Sequence, residues 1–161
     1  MSKKFIAALL SILFITGCST TSVIEVVNPD LLDGEIAVAN VIVSNGTGQT
    51  FDVDIESMLT KGLLDELSSQ SILDETSGKF NLDVSIVQYE KGNAFARWMM
   101  PGMGATVLSV EASLKDSLGA IIAQSQATKS IGAGGGYTIG AWATVFKDIS
   151  KTLVTDLLSI K

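Results

Sequence analysis

The strongest constraint on this chain is a run of strict alternation between Thr106 and Lys115. Leu108, Val110, Ala112 and Leu114 fall on one side, and Ser109, Glu111, Ser113 and Lys115 on the other. Period-two alternation of this kind describes a strand with one face in a core and one in water. The same pattern recurs on both flanks. Phe80, Leu82, Val84 and Ile86 alternate with Asn81, Asp83 and Ser85. Residues 120–130 alternate again after Asp116-Ser-Leu-Gly119, with Ile121, Ala123, Ser125 and Ala127 against Ile122, Gln124, Gln126 and Thr128. A turn of that composition between two alternating runs predicts an antiparallel hairpin. Three one-sided strands in succession require something to cover their apolar face.

Two segments of helical period supply the cover. From about Asp52 to Ser69, residues Ile55, Met58, Leu59, Gly62, Leu63 and Leu67 form one stripe, and from Thr138 to Ile160 so do Trp142, Phe146, Ile149, Leu153, Leu157 and Ile160. Asp52, Asp54 and Glu56 crowd the start of the first helix, where carboxylates suit the helix dipole. The apolar run at 35–44, bounded by Gly34 and Asn45-Gly46, is expected to be a strand buried on both faces. The fold class is therefore α+β, in the order β-α-β-β-β-α, with a mixed, mostly antiparallel sheet and two helices on one face.

Composition narrows the function classes. The 161 residues include no histidine and one cysteine, and carry a net charge of -6. Imidazole-dependent triads and histidine-ligated metals are excluded, as are intrachain disulfides and cysteine-rich metal sites. An acidic chain lacks the positive field that gathers nucleic acid. The acidic side chains Asp83, Glu111, Asp116, Asp148 and Asp156 are scattered over several elements, with no spacing that pairs them for acid–base chemistry. Gly132-Ala-Gly-Gly-Gly136 precedes a helix but has no following Lys-Ser/Thr and no βαβ frame, so it reads as a turn or linker rather than a phosphate cradle. No catalytic residue, metal or cofactor is expected, and the chain is expected not to be an enzyme.

The amino terminus reads as an export signal. Lys3 and Lys4 precede the apolar run Phe5–Ile15, and Thr16, Gly17 and Cys18 follow. The 13 residues from Phe5 to Gly17 make a helix of about 20 Å, short of the ~30 Å hydrocarbon core. Ile15-Thr16-Gly17-Cys18 resembles the lipobox of bacterial lipoproteins. The resemblance implies cleavage between Gly17 and Cys18 and fatty acylation, palmitate included, of Cys18; the alternative is a plain secretory signal with an incidental thiol. Cleavage removes two lysines and no acidic residue, taking the charge from -6 to -8. Ser19 follows the cysteine where an Asp would retain a lipoprotein in the inner membrane. The resemblance thus implies the inner leaflet of the outer membrane, facing the periplasm. The expected organisation is a signal peptide at 1–17, an acylated Cys18 with a tether at 18–33, and one α+β domain at 34–161.

One loop is unusual. Residues 94–104 place Arg97, Trp98, Met99, Met100 and Met103 between two strands, where polar residues are the norm. Such residues either fold back to cap the sheet or meet a partner or a membrane, and Arg–Trp pairs recur at interaction hot spots. The stretch from Phe95 to Ile149 resembles a family of small bacterial lipoproteins whose shared domain has no known function. The residues that carry it are Arg97-Trp98, Pro101-Gly102-Met103-Gly104, Leu114-Lys-Asp116, Gly119 and the Gly132–Gly136 run. The turn Ser117-Leu118-Gly119 departs from the Thr-Gly type more usual there. The resemblance implies export and an anchored α+β domain, and brings no activity.

The expected role is that of a non-enzymatic binding or accessory subunit of an envelope assembly. It would be held to the membrane through Cys18 and would reach envelope proteins through Arg97, Trp98, Met99, Met100 and Met103 or a sheet edge. The alternative is a periplasmic carrier of a small apolar ligand or lipid, with Trp98, Trp142 and the methionines around a pocket.

Overall fold

A computed structural model describes residues 19–32, 34–51, 53–90, 92, 104–131 and 139–160. The elements are β1 (Ser19–Val26), a 3-10 turn (Pro29–Leu31), β2 (Val38–Asn45), α1 (Ile55–Ser69), β3 (Phe80–Glu90), β4 (Thr106–Asp116), β5 (Ile121–Ile131) and α2 (Ile139–Ser159). The five strands form one sheet in the order β1-β5-β4-β3-β2. β2 and β3 are parallel and joined by α1, whereas the other neighbouring pairs are antiparallel. From β2 onward the order is the β-α-β-β-β-α read from the sequence, and both helices lie on one face.

The core is where the alternation puts it. Leu82, Val84, Ile86, Leu108, Val110 and Leu114 are buried from the sheet side. Ile55, Leu59, Leu63 and Leu67 of α1 meet them, with Phe146, Ile149, Leu153 and Leu157 of α2. Asp54 caps α1 by accepting the Ser57 N–H at 3.0 Å. The opposite face of the sheet is polar and cross-linked between strands. Ser109 and Thr128 hydroxyls lie 2.9 Å apart, and Lys115 reaches Asp83 at 2.6 Å.

Three sequence expectations are corrected. Residues 19–26, expected as tether, are the edge strand β1. Ser19 pairs with Ser130 and Val26 with Ala123, and Asn28 then fastens the strand's end by donating to the Ile121 carbonyl at 2.7 Å. Thr, Val and Ile are good strand formers, and an edge strand with one half-covered face shows little alternation. β2, expected to be buried on both faces, is the other edge. Its alternate residues are exposed, Ile42 at 50%, because the helices cover one side only. In β5 a register shift opposite Leu114 and Lys115 buries both Ile122 and Ala123, so Ile122 joins the core instead of the polar side.

The two helices approach closely at Gly62 of α1. A β-carbon there would lie 2.7 Å from the Ser150 Oγ of α2. Ser150 is fully buried, and its hydroxyl has no hydrogen-bond partner among the described residues. A buried, unpaired hydroxyl costs on the order of 1–3 kcal/mol. Ser150→Ala is therefore expected to raise stability by about 1 kcal/mol. Gly62→Ala added to it should contribute up to ~1 kcal/mol more through helix propensity. Gly62→Ala alone sets the new methyl against the hydroxyl and should gain less. Urea-unfolding midpoints of the two single variants and the double variant measure this coupling, and strict additivity would disprove the contact.

Candidate interaction surfaces

The register fixes which parts of the chain share an end of the sheet. Ser19 opens β1 opposite Ser130, Thr106 opens β4 opposite Ile131, and Glu90 closes β3 opposite Val107. The Gly92 N–H donates to the Thr106 Oγ1 at 3.2 Å, tying the two sides of the β3–β4 connection together. One end of the sheet thus receives the chain from Cys18 and gives rise to the connections 91–105 and 132–138. Gly17, Cys18, Arg97, Trp98, Met99, Met100, Met103 and the Gly132–Gly136 run lie outside the described residues, as does the side chain of Trp142.

The far end is the β4–β5 hairpin. Asp116 holds it by accepting the Leu118 N–H at 2.9 Å and the Ala120 N–H at 2.8 Å, with Gly119 at φ +86°. This fixed turn leaves Leu118 91% exposed. A shallow depression of about 510 Å³ runs from Leu118 to Ile42 across the Lys115–Asp83 ion pair. Leu118 enters the sequence only as part of a hairpin turn, although a leucine in the middle of a polar turn is itself a signal of a contact. A second depression, about 490 Å³, lies between the helices, with Met58, Gly62 and Phe146 as its apolar floor and Lys61, Asp65, Glu66 and Lys147 around them.

Of the five carboxylates read from the sequence as scattered, Asp83, Asp116, Asp148 and Asp156 have partners, and Glu111 is exposed on β4. Asp83 pairs with Lys115 at 2.6 Å, and Asp116 caps the hairpin. Asp148 of α2 pairs with Lys129 of β5 at 2.7 Å. Asp156 accepts from Ser125 at 2.6 Å and from Ser22 at 3.3 Å. The Lys129 side chain is only 6% exposed, and it points to the helix side although lysine reads as a surface residue. Among the described residues no three His, Cys, Asp or Glu side chains gather as a metal site. Among them, too, no helix is long and apolar enough to cross a membrane.

No curated protein matches the chain. Among solved structures, the fold is similar to that of PelC from Paraburkholderia phytofirmans, crystallised as a dodecamer in two space groups. The identity is 14–15% and the TM-score 0.59, over 86% of this chain and 97% of that one. It also matches protein XCC0632 from Xanthomonas campestris, a member of the family DUF330. There the identity is 15% and the TM-score 0.48, over 76% of this chain and 81% of the other. At such identities the likeness to PelC is one of fold. A family profile matches residues 46–135, which span α1 and the strands β3, β4 and β5. With more than half of its length matched, the chain belongs to the family DUF4410, a domain of unknown function.

Proposed function

We propose that the protein is a lipid-anchored lipoprotein of the periplasmic face of the outer membrane, working without catalysis as a binding or accessory subunit of an envelope assembly. The observation that carries the reading is the Ile15-Thr16-Gly17-Cys18 motif behind a positive and then apolar leader, joined directly to the first strand of the folded domain. Several acyl chains on one terminus give stable membrane residence where a single chain gives only marginal binding. Anchoring confines the domain near its partners and raises their effective concentration. The fold it shares with a protein crystallised as a dodecamer supports a role within an assembly. Arg97, Trp98, Met99, Met100 and Met103 and the exposed edges β1 and β2 are the proposed contact elements.

The test has two arms. Cys18→Ala is expected to abolish palmitate labelling and to release the protein from the membrane fraction or leave it unprocessed; labelling that persists in this variant overturns the anchor. In-cell cross-linking of the native chain is expected to trap defined envelope proteins, and the Arg97→Ala/Trp98→Ala variant to lose them while still folding. A trap containing no specific protein counts against the accessory role. The depression around Met58 and Phe146 favours a second reading, a carrier of a small apolar ligand, because its volume falls in the range of ligand pockets. Lipid that co-purifies with the native chain and is lost on Met58→Glu, a substitution at an exposed residue lining the depression, would favour that reading.

A further inference from the structure

We infer that the domain is mounted on the bilayer without a linker, with the Ser19–Glu90–Thr106–Ile131 end of its sheet against the lipid surface and the Leu118 hairpin pointing away from it. The inference rests on the anchoring reading proposed above and adds an orientation to it.

The geometry follows from β1. Cys18 is bonded to Ser19, so the two α-carbons are about 3.8 Å apart. Ser19 is already the first ladder partner of β5, opposite Ser130. Had residues 19–29 been a free tether, each residue would have added up to ~3.5 Å of reach. Those residues are instead locked at both ends of β1 and on its helix side. Ladder pairs run from Ser19 to Val26, and the Val27 and Asn28 N–H groups both donate to the Ile122 carbonyl, at 2.8 and 3.0 Å. Ser22 reaches Asp156 at 3.3 Å. An acyl group on residue 18 has no slack to spend and holds the neighbouring strand ends near the headgroups. β4 runs 11 residues from Thr106 to Asp116 at the opposite end. At ~3.3 Å per residue this puts the Leu118 turn about 35 Å from the lipid-facing end.

The chain's one cysteine is Cys18, so a thiol introduced elsewhere is the single labelling site once Cys18 is acylated. The experiment places a fluorophore at Glu90→Cys, Glu111→Cys or Leu118→Cys in the purified acylated chain. Vesicles of phosphatidylethanolamine and phosphatidylglycerol with a headgroup quencher receive the protein, and mass spectrometry of the amino-terminal peptide reports acylation. The expected result is strong quenching at 90, weaker quenching at 111 and none at 118. Equal quenching at all three positions on an acylated chain overturns the mounting and leaves the anchor standing. An unacylated Cys18 overturns both. A Gly-Ser insert of about 10 residues between Cys18 and Ser19, spanning roughly 17 Å root-mean-square, is expected to flatten the gradient. A gradient that survives the insert shows that something other than the direct joint orients the domain, and overturns the mounting as stated.

Discussion

Replacing Gly78 by alanine is expected to destabilise the protein by about 3 kcal/mol, a loss of roughly 10 °C in melting temperature for a domain of this size. Gly78 closes the turn between α1 and β3. A β-carbon there would lie 2.5 Å from the Ala39 nitrogen, 2.5 Å from the Asp74 carbonyl oxygen and 2.8 Å from the Ala39 α-carbon. All three are backbone atoms, so no side chain can rotate out of the way. The surroundings are also tightly tied. Gly78 N–H donates to the Asp74 carbonyl at 2.9 Å, Asp74 N–H to the Val38 carbonyl at 2.9 Å, and Lys79 N–H to the Ala37 carbonyl at 3.0 Å. The Asp74 carboxylate accepts from the Ser77 N–H and from the Thr76 hydroxyl and N–H, which hold its pKa below the ordinary 3.8. Ala39 is the residue left over by the register shift at the start of β2, and Gly78 sits on it. The added methyl has to displace the start of the parallel β2–β3 pair. Gly46→Ala is the control. There the nearest atom is the mobile Ser85 Oγ, although the Ile86 carbonyl at 3.0 Å keeps the fit tight. Its loss should be clearly smaller in the same urea titration, and equal losses would show that close backbone approach is not the cause.

Asp148→Ala is expected to cost about 2–3 kcal/mol, while Lys129→Met should change stability by less than ~1 kcal/mol in either direction. The asymmetry comes from exposure. Lys129 is 6% exposed on the helix side of β5, and Asp148, 36% exposed, keeps contact with water. Removing the carboxylate leaves an ammonium group buried without a partner. Removing the ammonium leaves a carboxylate that water can still solvate, and methionine refills the space of the lysine stem. The expected loss for Asp148→Ala is set below that of a fully dry pair for the same reason. Asp148→Ala combined with Lys129→Met should recover most of the loss. Chemical denaturation of the three variants decides it, and a double variant as unstable as Asp148→Ala would place the cost elsewhere.

The sequence was most readable where one face of an element is apolar and the other polar. Leu82, Val84 and Ile86 in β3 and Leu108, Val110 and Leu114 in β4 announced both the strands and the inward face. So did Leu59, Leu63 and Leu67 in α1. β1 was not readable because its inward positions include Ser22, which meets Asp156 rather than the apolar core. Lys129 was hidden for a related reason. Alternation alone does not distinguish a polar side chain that faces water from one that faces a single carboxylate on a covering helix, here Asp148. The register shift in β5 was invisible too, since Ile121 and Ile122 fit either side. Of the candidate surfaces, Cys18 and the Arg97–Met103 segment stood out by residue type. The Leu118–Ile42 depression did not, because it joins residues 76 positions apart that only the sheet order brings together.

The antiparallel pairing of β1 with β5 has a mechanical consequence. Its ladder bonds lie across the strand direction, and Ser19 is at the terminus through which any load from residue 18 enters. When residue 18 is held and the body of the domain is drawn along the strand axis, the ladder from Ser19 to Val26 is loaded in shear, so its bonds must yield together. Drawn sideways, the same ladder would open one pair at a time. The joint between anchor and domain is therefore strongest along the direction in which the strands run.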